Sequence, residues 1–84
     1  MITWSIYENY SEGECKHNSV TFDTSVYLED DGKWVAVVRA IVRGSLRDDP
    51  RVPAPFPFSD AASARDWCER VAVALLPLLA ESER

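Results

Sequence analysis

Residues 19–43 read SVTFDTSVYLEDDGKWVAVVRAIVR, and the alternation inside this stretch decides the architecture. Val20, Phe22, Val26 and Leu28 are even-numbered, while Ser19, Thr21, Asp23 and Ser25 fill the odd positions. Side chains of a strand alternate between its two faces, so residues 19–29 form one strand with a single apolar face. Glu29-Asp30-Asp31-Gly32-Lys33 reads as a hairpin loop with Gly32 in the left-handed conformation and Glu29 set opposite Lys33 as an ion pair. That loop pairs Leu28 with Trp34, Val26 with Ala36, Thr24 with Val38, Phe22 with Ala40 and Val20 with Val42, and on the other face Asp23 with Arg39. A loop shorter by one residue would put Arg43 against Val20 on the apolar face, because a slip of one residue turns every side chain over.

The strand at residues 33–43 is apolar on both faces, with Trp34, Ala36, Val38, Ala40 and Val42 on one and Val35, Val37 and Ile41 on the other. Such a strand belongs inside a sheet or under a cover. Upstream, Ile2, Trp4 and Ile6 alternate with Thr3, Ser5 and Tyr7 as another strand, after which Glu8 to Asn18 lose the pattern and read as a loop. Downstream, Pro50, Pro53, Pro55 and Pro57 keep residues 44–58 out of regular structure, as an ordered strap or a functional loop. Ser59 is placed to cap a helix with Asp60 in its first turn, and Ala64, Trp67, Cys68, Val71, Leu75 and Leu78 follow helical spacing. Pro77 predicts an end near Leu76 or a kink. The fold expected is one α+β domain spanning residues 1–84: an antiparallel sheet of three or more strands, with a C-terminal helix on its even-numbered face. Its core is expected to hold Val20, Phe22, Val26, Leu28, Trp34, Val38, Trp67, Val71 and Leu75.

At 84 residues, 46% hydrophobic and 27% charged, the composition excludes a disordered tail or a low-complexity linker. The N-terminus lacks the basic and apolar regions of a signal peptide. Val71 to Ala80, the longest apolar run, is too short to cross a bilayer, which takes ~20 residues. A cytoplasmic protein without membrane contact is the expectation, and its two cysteines are then thiols. Cys15 and His17 form a Cys-x-His pair, but no second ligand cluster accompanies them, so no metal or other cofactor is expected. One histidine, no phosphate-binding glycine loop and no nucleophile elbow leave no catalytic set, so an enzyme is not expected.

Charge is distributed unevenly. Residues 1–33 carry seven carboxylates against Lys16 and Lys33, which accounts for the whole net charge of -5. Glu8, Glu12 and Glu14 are assigned to the first loop, and Glu29, Asp30 and Asp31 to the hairpin at the opposite end of the sheet. These six are the candidate contacts for a protein partner with a basic surface, since carboxylates can occupy lysine and arginine sites built for phosphate. The alternative is a basic patch of Arg39, Arg43, Arg47 and Arg51, spaced to track phosphates in a nucleic-acid-binding regulator. The all-apolar run 71–80, with Val73, Leu76 and Leu79 as candidate contacts, and the outer sheet face carrying Tyr27, Val35, Val37 and Ile41 both point to self-association as a homodimer or to an obligate partner.

Two resemblances bear on function. Gly32-x-Trp34 in the hairpin and Phe58-Ser59-x-x-Ala62-x-x-x-x-Trp67 at the helix start, over residues 19–76, resemble the three-stranded DNA-binding domains of phage-type integrases and plant ethylene-response factors. That resemblance implies DNA read from the sheet face, which here offers Arg39 and Arg43 among Asp23, Tyr27 and valines. As a small acidic domain without catalytic groups, the chain is also similar in class to phage-encoded inhibitors of the anti-CRISPR type. This second likeness implies a non-enzymatic inhibitor that engages a nucleic-acid-handling protein.

Overall fold

The computed structural model describes residues 2–17, 20–42 and 51–82. Among these residues the chain forms β1 (Thr3–Ile6), β2 (Tyr10–His17), β3 (Val20–Leu28), β4 (Trp34–Val42), β5 (Arg51–Pro53) and α1 (Ala61–Ser82). The strands make one antiparallel meander in the order β1-β2-β3-β4-β5, with α1 packed across β3 and β4. The α+β class and the helix-covered sheet follow the reading above.

The register of the central hairpin is the one the alternation demanded, with Leu28 opposite Trp34, Asp23 opposite Arg39 and Val20 opposite Val42. Gly32 sits at φ 82°, and its N–H donates to the Glu29 carbonyl at 3.0 Å. The Lys33 N–H donates to Asp31 Oδ1 at 2.9 Å, which closes the loop from the side-chain end. Glu29 and Lys33 meet through the backbone, Glu29 N–H to Lys33 carbonyl at 2.8 Å, and not through the ion pair expected of them.

Helix and sheet bury Phe22, Val26, Ala36, Val38, Ala64 and Cys68 completely, with Trp34, Phe58, Trp67, Val71, Leu75 and Leu76 packed half-buried around them. Leu28 departs from the expected core: at the last position of β3 it is 36% exposed. Phe58 packs against Trp67 with ring centroids 6.3 Å apart, tying the chain just before α1 to its first turns.

Three local expectations are corrected and a fourth is narrowed. Residues 10–17 are a strand and not part of a loop, Asn18 lying outside the described residues: Tyr7 to Tyr10 is a tight turn, with Tyr7 N–H donating to the Tyr10 carbonyl at 2.8 Å, and β2 follows at once. Its buried residues, Ser11, Gly13 and Cys15, are too small to register as an apolar pattern. The proline-rich segment is partly a strand, because Arg51–Pro53 pairs with β4 as a sheet edge, where a proline's missing N–H can be tolerated. Beyond it, Ala54 N–H reaches the Ala36 carbonyl at 2.8 Å, and Phe58 and Trp34 exchange two backbone bonds, so residues 51–58 run along β4. The helix is capped by Asp60 and not Ser59: Asp60 Oδ1 accepts from Ser63 N–H at 2.7 Å, three residues on, which holds its carboxyl below the ordinary value of 3.8. Finally, α1 continues through Pro77 to Ser82, which removes the first of the two outcomes expected there, an end near Leu76.

Candidate functional site

Odd-numbered residues of β3 and β4 point away from the helix. With even-numbered residues of β2 they make an outer sheet face that no described element covers. Along one row across the strands lie Thr3, Glu14, Asp23, Arg39 and Arg51, and along the next Ser5, Glu12, Ser25, Val37 and Pro53. Acidic side chains therefore occupy β2 and β3, and the two arginines occupy β4 and β5. Asp23 Oδ2 accepts from Arg39 Nη2 at 3.0 Å, whereas Arg39 Nε is buried and has no partner. Lys16 lies 3.6 Å from Glu14, a solvated pair of little energetic weight. Tyr10 donates its hydroxyl to Glu12, and that hydrogen bond to a carboxylate pushes the phenol up from 10.0 to about 12. Two open hollows mark this face, one over Thr3 and Ser5 rimmed by Glu12, Glu14 and Asp23, the other between Tyr27, Val37, Arg39 and Arg51.

The six candidate carboxylates separate differently from the expectation. Glu12 and Glu14 are strand residues on the outer face, joined there by Asp23. Glu8 lies in the β1–β2 turn. The Leu28 N–H donates to the Asn9 carbonyl at 3.0 Å, so this turn sits at the same end of the sheet as the β3–β4 loop and not at the opposite end. Glu8, Glu29, Asp30 and Asp31 thus form one acidic end, every one exposed, with Lys33 the one cation among the described residues there. The reversal follows from β2: once residues 10–17 are a strand, two strands separate the β1–β2 turn from the β3–β4 loop, and these two connections fall side by side. Tyr7 and Tyr10 stack at 5.4 Å beside this end.

Of the basic set, Arg39 and Arg51 are directly opposite each other, while Arg43 and Arg47 lie outside the described residues. Of the self-association set, Val73 is 60% exposed, Leu76 packs against the core, and the side chain of Leu79 lies outside those described. The sheet therefore already covers part of the stretch that read as all apolar.

Both cysteines are buried thiols. Cys15 is on the inner face of β2 opposite Phe22, not in a polar loop, and burial pushes the Cys68 thiol up to about 12. Among the described residues no group of three or more His, Cys, Asp or Glu side chains is disposed to hold a metal ion, and no helix is long and apolar enough to cross a membrane. Comparison with protein-family models, curated proteins and solved structures finds no match.

Proposed function

We propose that this chain is a non-enzymatic protein-binding module that engages a basic surface of a nucleic-acid-handling protein, in the manner of a phage-type, anti-CRISPR-like inhibitor. The observation that carries the reading is the acidic end, where Glu8 joins Glu29, Asp30 and Asp31 on two adjacent turns anchored by backbone bonds. Carboxylates held on short turns lose little conformational freedom on binding, and several together steer a cationic partner into register. Glu12, Glu14 and Asp23 extend the negative field along the sheet.

The second reading, a nucleic-acid-binding regulator, rests on Arg39 and Arg51 lying side by side. Asp23 neutralises Arg39, and a net charge of -5 opposes approach to a polyanion, so this reading has the weaker support. Two measurements decide between them. Immobilised protein should capture a basic partner from host lysate in a salt-sensitive way, and the E29K/D30K/D31K variant should lose that capture while melting normally. Undiminished capture would reduce the acidic end to a solubility device. Fluorescence polarisation with labelled duplex DNA should show no binding at any salt; binding that falls steeply with salt would instead establish the arginine reading.

A further inference from the structure

The outer face is built from two unlike columns. β3 presents Thr21, Asp23, Ser25 and Tyr27, and β4 presents Ile41, Arg39, Val37 and Val35 at the same levels. One column is hydrogen-bonding and acidic; the other is apolar and basic. Tyr27 remains 38% exposed, and Arg39 Nε lacks an acceptor although it is buried.

We infer that this face docks against the same face of a second copy, about a two-fold axis parallel to the strands and passing between β3 and β4. That axis keeps each residue at its own level and exchanges the columns. It lays Asp23 over the partner copy's Arg39 column, Ser25 over the Val37 column, Thr21 over Ile41, and Glu14 over the Arg51 strand. Asp23 and Glu14 then meet the arginines of the second copy, and the small Thr21 and Ser25 meet Ile41 and Val37. A two-fold across the strands and centred at that level would instead set β4 on β4, with Arg39 against Arg39, so the charges of the face itself favour the parallel axis. Sheets stacked in this way keep their strands nearly aligned, as in sandwiches. Strand spacing and rise make the patch about 500 Å² per copy, which reaches the total of about 1,000 Å² that a specific interface needs. Because the axis preserves position along the strands, the acidic ends of both copies project from the same end of the dimer. The inference does not depend on what that end binds.

Light scattering after size exclusion tests it with three proteins: wild type, E14R and R51E, the two substitutions falling at exposed positions. Wild type should be a dimer at high concentration. Each single reversal places like charges together and should weaken association about tenfold. An equimolar mixture of the two variants should associate as wild type does, because each introduced charge then faces its opposite. A wild type that stays monomeric up to about 1 mM overturns the inference. So does a dimer indifferent to both reversals, which would lie on another surface such as the helix face at Val73, or a mixture that fails to recover.

Discussion

Gly13 shows how one residue sets the spacing of two strands. A Cβ at this position would lie 2.4 Å from Ile2 Cγ2, 2.6 Å from Thr24 Oγ1 and 2.8 Å from Trp4 Cε3. Those distances are shorter than any atoms tolerate, so only glycine lets β1 close over β2. Thr24, fully buried, donates its hydroxyl to the Gly13 carbonyl at 3.1 Å, which satisfies the one buried polar side chain of β3. Gly13→Ala should therefore destabilise by overpacking, by about 1–3 kcal/mol. Urea denaturation measures it, and an unchanged midpoint would mean that Ile2 and Trp4 do not pack on β2 in this way. In the sequence the same glycine, flanked by Glu12 and Glu14, reads as loop punctuation. Its role depends on a tryptophan nine positions earlier and a threonine eleven positions later, which local pattern cannot bring together.

At the scale of elements, β3, β4 and α1 were legible because each carries a full apolar face at its own period. β2 was not, because its inward residues are Ser11, Gly13 and Cys15. They are small because larger side chains fill the layer from either side: Trp4 from β1, whose Nε1 donates to Glu69 Oε1 at 3.2 Å, and Arg65 from the helix, which donates to Ser11 Oγ at 3.3 Å. β5 is short and proline-rich, and pairing with β4 is what makes it a strand. The helix start offers a direct test. Asp60 is held ionised in the folded chain, chiefly by the Ser63 N–H, so its carboxyl titrates below the ordinary 3.8. A lowered folded value means that the cap's charge-dependent contribution is complete above the unfolded value and disappears as pH falls through the folded one. Asp60→Ala should lower the melting temperature at neutral pH, and the difference from wild type should shrink on acidification. Asp60→Asn keeps an acceptor at the cap and should fall between the two. A difference constant with pH would place the helix cap elsewhere.

For the whole molecule, Phe22 is the largest side chain with no exposure, and Val26, Val38 and Cys68 are likewise sealed from solvent. A chain this short has a thin core, so Phe22→Ala should cost about 3–5 kcal/mol, a large share of the 5–15 kcal/mol that holds a typical domain together. A chemical melt indistinguishable from wild type would contradict the packing of α1 on β3 and β4. The sequence by itself determined the class, the central hairpin with its register, and the side of the sheet that faces the helix. Side-chain alternation and the helical repeat are local properties, and burying one apolar face in water admits only one register. It also located the charge, since all of the excess negative charge falls in the first 33 residues. Tertiary structure alone decided which carboxylates stand together. Glu8 meets Glu29, Asp30 and Asp31, and Glu12 and Glu14 meet Asp23, because β2 inserts one more reversal between β1 and β3. That reversal is stabilised by contacts between residues distant in the chain, and its own side chains are too small to announce it.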